Sequence, residues 1–304
     1  MELRTKSVWM DGTLVDWDKA HVHVLTHALH YGTGAFEGIR FYDTPHGTAI
    51  FRLRDHIARL ERSFAWILPL PYTIDEICEA SREVVRINGL KEGYLRPLAF
   101  VGMERMGMDL RGMPVHVALA VWPWGIYLGE EALRNGVKCK TSIFERPRTR
   151  AYPGQAKLSG KYVNSVMGKL DAVGKGYGEA IMLDSAGNVS EGPGENIFIV
   201  KDDVITSPGA EADALEGITR DSVLTIARDL GYRVKDQVVT REMLFSADEA
   251  FFTGTAAEVT PIASVDDRKI GSGVRGPVTE RLQATFFNTV HGKDERYMHW
   301  LDIV

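Results

Sequence analysis

Hydrophobic spacing in the first half of the chain predicts two helices followed by two strands. Apolar residues recur with a helical period over 54–68 and again over 74–87, where Gly89 is placed to end the second helix. Segments 94–100 and 115–122 have the composition of strands. The second of these is almost wholly apolar, so we expect it to be buried on both faces.

The second half continues with a predicted strand at 137–143 and a polar, Arg/Pro-rich loop at 145–155. The next helix should end by Gly174 or Gly176, and a helical stripe marks it: Val163, Val166, Met167 and Leu170.

Two further strands and one helix complete the prediction. The strands are expected at 179–184 and 189–200. The helix is expected at 219–230, with Thr219 as its N-cap and Gly231 as its stop. Because strands and helices do not alternate regularly, an α+β fold is favoured over a doubly wound sheet.

The length of 304 residues favours two domains. The apolar strand is broken by Pro123 and Gly125, which resemble an interdomain connection. We therefore predict a small domain at 1–125, a connection at 126–136 and a large domain at 137–304.

Composition and charge exclude several classes of function. A net charge of -5 and a pI near 6.0 provide no basic surface for nucleic acid. No apolar run approaches a membrane span, and the first residues lack the apolar core of a signal peptide, so a cytoplasmic location is expected. The two cysteines are far apart, and His27 and His30 lack a nearby third ligand, so no metal site is expected.

A lysine and a glutamate give the first indication of chemistry. Lys157 stands among small residues, and 34 positions later Glu191 lies between a predicted strand and a glycine-rich turn. A pyridoxal phosphate enzyme needs such an amine to bond the cofactor, and a carboxylate to keep its pyridine ring protonated. Lys161, four residues on, fits the first role equally well by its position, and a surface lysine is the ordinary interpretation of either.

Two segments offer backbone N–H groups to a phosphate. Gly217-Ile218-Thr219 directly precedes a predicted helix, whose first turn directs N–H groups and a positive dipole outward. Gly254-Thr255-Ala256 is a second turn of small residues. Each is a weak signal alone, since a cap and a turn explain them as well.

Tyr94 and Arg96 form a candidate substrate site. They lie two residues apart in a predicted strand and therefore share one face of it. A phenol and a guanidinium there can bind one carboxylate, although a salt-bridged arginine on a solvent-facing strand has the same pattern.

Several of these sequence segments resemble those of a known protein family. The segments 27–40, 155–162 and 190–198 closely resemble the branched-chain amino acid aminotransferases, class IV pyridoxal phosphate enzymes of fold type IV. The resemblance extends from about Trp9 to Leu301. It implies a smaller N-terminal α/β domain and a larger C-terminal domain with a mixed, barrel-like sheet.

The resemblance also assigns roles to residues. It selects Lys157 over Lys161, places Tyr162 on the phenolic oxygen of pyridoxal 5'-phosphate, and brings Arg59 to the phosphate. The implied cofactor contacts are Lys157, Arg59, Tyr162, Glu191, Leu215, Gly217, Ile218, Thr219, Gly254 and Thr255. The implied substrate contacts are Tyr31, Phe36, Arg40, Tyr94, Arg96, Met108, Trp124, Tyr127, Thr255 and Ala256.

The activity implied is transfer of the amino group of L-leucine, L-isoleucine or L-valine to 2-oxoglutarate in two half-reactions. The alternative is a D-amino acid or (R)-amine transaminase, or a lyase, of the same fold; a non-catalytic binding module is disfavoured by the presence of Lys157, Tyr162 and Glu191. The resemblance further implies at least a homodimer, with a homohexamer as the larger alternative. The resemblance also implies that, in the dimer, the loop at 106–110 reaches the active site of the partner subunit.

Overall fold

A computed structural model describes residues 3–125, 127–148 and 151–304. Packing divides the chain into two units. Unit 1 comprises Met1–Gly125, Ala156–Lys161 and Thr289–Val304, and unit 2 comprises Ile126–Gln155 and Tyr162–Asn288. The segment that contains Lys157 therefore packs with unit 1, although it lies between two stretches of unit 2 in sequence.

In chain order, the strands are β1 (Ser7–Met10), β2 (Thr13–Asp16), β3 (Gly34–Phe36), β4 (Ile39–Thr44), β5 (Gly47–Phe51), β6 (Gly93–Val101), β7 (Val115–Trp122), β8 (Val137–Glu145), β9 (Glu179–Leu183), β10 (Val189–Glu191), β11 (Asn196–Lys201), β12 (Val204–Ser207), β13 (Arg233–Asp236), β14 (Glu249–Gly254), β15 (Glu258–Val265), β16 (Arg268–Lys269) and β17 (Leu301–Ile303). The α-helices are α1 (His27–Tyr31), α2 (Leu53–Phe64), α3 (Ile74–Asn88), α4 (Glu130–Asn135), α5 (Tyr162–Gly174), α6 (Ile218–Asp229), α7 (Arg241–Ser246) and α8 (Pro277–Val290). Short 3-10 helices occur at Trp17–Lys19, Ser159–Lys161, Ala210–Ala212 and Glu295–Trp300.

Unit 1 is built on an antiparallel sheet in the order β17-β5-β4-β6-β7-β1-β2, with β3 paired to β6. Helix α3 packs on β7 and β1. It begins with a capping box between Thr73 and Glu76, and it ends at Gly89, which adopts φ 67° as a left-handed C-cap. Both predicted helices of this unit are thus present.

Strand β7 differs from its prediction in burial. Val117, Leu119 and Val121 are fully buried, whereas the residues between them are only half-buried. The expectation of burial on both faces is therefore wrong. The half-buried face continues the face of β6 that carries Tyr94 and Arg96, because Tyr94 pairs with Trp122.

Unit 2 contains a closed, mixed β-barrel. The sheet order β10-β9-β8-β15-β14-β11 is closed by pairing of β10 with β11, and β12 and β13 extend it. Strand β8 runs parallel to both β9 and β15, while the other barrel pairs are antiparallel. This confirms the predicted α+β fold with a mixed, barrel-like sheet.

Helix α5 is present where the apolar stripe predicted it and ends at Gly174. The stripe that predicted it faces outward: the exposed fractions are 62% for Val163, 54% for Val166, 40% for Met167 and 65% for Leu170. Small residues, Ser165, Gly168 and Ala172, face the core instead. None of the helices in the described ranges has the length and hydropathy of a transmembrane span.

Candidate active site

The backbone of Lys157 is held from both sides within unit 1. Its N–H donates to Ser63 Oγ on α2 at 2.9 Å, and its C=O accepts from the N–H of Phe36 on β3 at 3.2 Å. Leu158 forms a β-bridge with Ala35. The Lys157 ammonium lies 5.0 Å from the centroid of the Phe36 ring, within range of a cation–π contact. Lys157 therefore projects from a fixed backbone beside an aromatic ring.

Lys161 has a different environment. It ends a 3-10 helix, where its N–H donates to the Leu158 carbonyl, and it is 4% exposed. Lys157 is only partly buried. Accessibility therefore favours Lys157 as the amine that meets a ligand.

Arg59 lies in a buried ionic cluster of unit 1. Its Nε and Nη2 donate to the two oxygens of Glu37 at 2.6 and 2.8 Å, and His56 Nδ1 lies 2.7 Å from Glu37 Oε2. Burial alone would raise the pKa of the Glu37 carboxyl, but Arg59 and His56 outweigh burial and lower it. Burial lowers the pKa of His56, so its imidazole is neutral at pH 7 and donates its Nδ1 hydrogen.

Arg96 of β6 lies among aromatic rings that come from β3, β6 and β7. The Arg96 guanidinium lies 4.8 Å from the ring centroid of Phe36, 5.4 Å from that of Tyr94 and 5.7 Å from that of Trp122. The Tyr94 and Trp124 rings are 5.0 Å apart. A Cβ atom at Gly38 would lie 1.8 Å from the Tyr94 hydroxyl oxygen, so only glycine allows this position of the phenol.

Three other predicted substrate residues of unit 1 have different surroundings. Arg40 donates to the carbonyls of Trp124 and Gly125 at 3.2 and 2.9 Å, which fixes the segment that follows β7. Tyr31 packs against the His27 ring with centroids 4.4 Å apart. Met108 is 80% exposed in a loop that His27 contacts through the Gly107 carbonyl. His27 and His30 both contact backbone or hydroxyl oxygens, at Thr33, Gly107 and Val24.

In unit 2, Glu191 is buried at the end of β10. Its Oε2 accepts from the N–H of Leu215 at 3.0 Å and from Asn196 Nδ2 at 3.3 Å, and its Oε1 forms an ion pair with Arg146 Nη2. Arg146 also donates to Ser165 Oγ at 2.9 Å. The carboxylate is thus oriented by three groups and balanced by a positive charge.

Two more buried carboxylates of unit 2 interact with each other, and one of them, Glu195, also interacts with Glu191. Glu179 forms an ion pair with Lys169 at 2.7 Å, whereas Glu195 accepts from the N–H of Gly194 at 3.0 Å. Burial raises the pKa of Glu195 to about 8, and the negative charges of Glu179 and Glu191 add to this effect. Since Lys169 and Arg146 each contact another carboxylate, we assign the retained proton to Glu195.

The predicted phosphate segments are also in unit 2. Helix α6 has Gly217 as its N-cap, and no side-chain hydrogen bond caps it, so the prediction of Thr219 as the cap is wrong. A Cβ atom at Gly217 would lie 1.9 Å from Asn196 Oδ1, so a larger residue there would displace the Asn196 amide. Gly254 ends β14, and Thr255 and Ala256 form a partly exposed turn.

Tyr162 and Tyr127 complete the predicted set in unit 2. Tyr162 is the first residue of α5 and partly buried. Tyr127 is 42% exposed, and Lys169 Nζ lies 5.4 Å from its ring centroid.

The sequence analysis did not identify four polar residues that contact and orient the predicted site residues. Two of them, Ser63 and His56, lie with Arg59 at helical spacing on one buried face of α2, so a polar stripe inside an amphipathic helix was an available signal. Glu37 was also detectable, because it is a lone charge in an apolar segment. Arg146 stands among other arginines in a polar loop, and nothing in that pattern distinguishes it.

Residues 34–265 match the family model for amino-transferase class IV. The branched-chain-amino-acid aminotransferase of Pseudomonas aeruginosa is 51% identical over 298 residues, which cover 98% of this chain and 97% of the relative. The crystal structure of the Escherichia coli enzyme of the same name superposes with a TM-score of 0.96 at 45% identity, covering 98% and 99% of the two chains. The crystal structure of the T.th. enzyme with pyridoxamine 5'-phosphate has a TM-score of 0.96 at 46% identity, covering 99% of each chain. This near full-length similarity confirms the predicted resemblance, and the chain belongs to the branched-chain amino acid aminotransferases of class IV.

Proposed function

We propose that this protein transfers the amino group of L-leucine, L-isoleucine or L-valine to 2-oxoglutarate with pyridoxal 5'-phosphate as cofactor. Family membership supports the transaminase reaction and its cofactor. The observation that carries the substrate assignment is the position of Arg96 inside an aromatic wall of unit 1. Such a wall accommodates a branched aliphatic side chain, while the Arg96 guanidinium binds the carboxylate of glutamate.

The residues present fit the cofactor. When bound, pyridoxal phosphate supplies an electron sink for the charge that develops on the α-carbon of the amino acid. The buried and oriented Glu191 carboxylate is suited to accept a hydrogen bond from a protonated pyridine nitrogen. The N-terminus of α6 at Gly217, Ile218 and Thr219 is suited to bind the phosphate.

Lys157 has two roles in this proposal. Its amine would hold the cofactor covalently in the absence of substrate, and as a free amine it would be the base that moves the α-proton of the substrate. Tyr162 is assigned to the phenolic oxygen of the cofactor and Arg59 to its phosphate, as the resemblance implies. Thr255 and Ala256 offer backbone N–H groups to the α-carboxylate of the substrate.

The comparisons favour this activity over the D-amino acid, (R)-amine or lyase alternative, since the relatives named above are branched-chain enzymes. We also propose a cytoplasmic location, because both cysteines, Cys78 and Cys139, are buried free thiols that suit a reducing compartment.

We further propose at least a homodimer. Large apolar side chains are exposed on α5 and in the loop that contains Met106 and Met108. The apolar stripe on α5 is the kind of exposed surface that commonly marks a contact with another protein chain. Sedimentation and activity measured at matched protein concentration test this, and a fully active monomer would contradict it.

The decisive test of the function combines spectroscopy with a donor panel. Borohydride reduction of the wild-type enzyme should attach the cofactor to the peptide that contains Lys157, and Lys157→Ala should lose the label and the activity while keeping its fold. A panel of L-leucine, L-valine, D-alanine and an (R)-amine with 2-oxoglutarate should show preference for the L-branched donors. Label on Lys161, or preference for the D-amino acid or amine, would overturn the assignment.

A further inference from the structure

Glu37 contacts Arg59 in a geometry that fixes the guanidinium. The carboxylate is 0% exposed and binds the Nε and Nη2 edge of Arg59 with two hydrogen bonds, while His56 donates to the same carboxylate. A guanidinium has five N–H donors in one plane, so three of them lie on edges turned away from Glu37. Two parallel bonds leave the plane of Arg59 little freedom to rotate.

Stability does not account for this ion pair. Removing two charges from water is costly, and hydrophobic residues of similar volume often stabilise a protein as well as a buried pair does. The pair also neutralises the charge of Arg59, which weakens its long-range attraction for an anion. What the arrangement does provide is a set of N–H donors with a fixed direction.

We propose that Glu37 is a positioning residue for the cofactor phosphate: it orients Arg59 so that the outer N–H groups of the guanidinium donate to the phosphate oxygens. This inference rests on the proposed function, which assigns Arg59 to the phosphate. It makes a prediction opposite to that of simple electrostatics. If charge dominated, removal of the Glu37 carboxylate would strengthen phosphate binding; if orientation dominates, removal weakens it.

The test compares two ligands, pyridoxal 5'-phosphate and phosphate-free pyridoxal, on the full-length protein stripped of cofactor. Glu37→Gln should raise the dissociation constant of pyridoxal phosphate roughly 10- to 100-fold, the range expected for one lost charge-assisted hydrogen bond. The dissociation constant of pyridoxal should change less than about 3-fold. Glu37→Asp keeps the negative charge but has a shorter side chain. It should raise the ratio of the two dissociation constants, pyridoxal phosphate over pyridoxal, in the same direction, and it replaces the Gln variant in the test if that variant does not fold.

A matched control is present in the same unit. Arg82 donates to both oxygens of Asp302 at 2.6 and 3.0 Å, so Asp302→Asn breaks a similar bidentate pair and should leave the ligand ratio unchanged. In an Arg59→Met background, Glu37→Gln should have no further effect on the ratio, because its action passes through Arg59.

Each other result contradicts the inference. Unchanged or tighter binding of pyridoxal phosphate by the Glu37 variants would show that orientation is unimportant. Equal weakening of both ligands, or persistence of the effect without Arg59, would indicate a general structural role. A wild-type protein that takes up no pyridoxal phosphate would instead refute the proposed function, and this inference with it.

Discussion

Replacing Arg146 with methionine isolates the contribution of one buried charge in unit 2. Both side chains of the Arg146–Glu191 pair are 4% exposed, so water cannot take over the role of the guanidinium. Methionine is of similar length and fills most of the volume, but it leaves the Glu191 carboxylate without a counter-charge and Ser165 without its donor. Breaking a buried pair in this way costs about 3–5 kcal/mol of unfolding free energy. If Glu191 binds the pyridine nitrogen, as proposed, the same substitution should lower turnover, because the carboxylate is no longer fixed in place.

Urea denaturation of the cofactor-free protein measures the effect without involving catalysis. Lys201→Met is the control, since it breaks an exposed pair with Asp248 whose side chains are 50% and 52% exposed, and it should cost less than about 1 kcal/mol. Adding Glu191→Gln to Arg146→Met should restore part of the stability, because a neutral amide needs no counter-charge. If Arg146→Met alone destabilised the protein no more than Lys201→Met does, the argument from the buried charge would be refuted.

Two further predictions concern other carboxylate contacts. Because the pKa of Glu195 is raised to about 8, the folded protein binds more protons than the unfolded chain between about pH 4.5 and 8, so its unfolding free energy should fall as pH rises through that window. Glu195→Gln should flatten this dependence by about 1 kcal/mol per pH unit in urea titrations at pH 5.5, 6.5 and 7.5, and an unchanged slope would count against the retained proton. Arg96→Ala should lower the specificity constants of glutamate and 2-oxoglutarate roughly 10- to 150-fold while leucine changes little, as steady-state kinetics can show. Equal losses for all amino acid donors would mean that Arg96 binds the α-carboxylate instead.

Local sequence signals predicted a helix well where its apolar face packs against the core of its own unit. Helix α3 has an apolar stripe, a capping pair and a terminal glycine that all agree, and it was predicted to within one residue. Helix α2 was predicted too long, because Ala65 and Leu68 continue the helical spacing after the helix has ended at Phe64.

Prediction failed where large apolar residues do not face the core of their own unit. The stripe of α5 located the helix but did not show which face packs inward. Small residues let this helix pack closely on the barrel, with Gly168 so near Met182 that a Cβ atom would lie 2.5 Å from its sulfur. The face of β7 that carries Trp122 is likewise apolar in sequence but only half-buried in the structure. A sequence pattern reports which face is apolar, but it does not report what covers that face.

The sequence predicted which residue types form the candidate site, but only in part how those residues are positioned. The sequence segments around Lys157 and Glu191 indicated the amine and the carboxylate of a cofactor site. The groups that orient these two residues, Ser63 and Arg146, come from distant segments of the chain. Such partners are set by tertiary structure. They leave no spacing in the sequence that would connect them to the residues they hold.

The two hydrogen bonds that hold the peptide of Lys157 have a consequence for each catalytic cycle. Fixing one residue's backbone costs about 1–2 kcal/mol of conformational entropy, and here folding has already done so before any substrate arrives. If Lys157 is the amine that bonds the cofactor, as proposed, its side chain would, once displaced by the substrate amine, search only the rotations of its own four-carbon stem. The lysine amine would then stay close to the reacting carbon, and proton transfer would have the character of an intramolecular step with a high effective concentration of base.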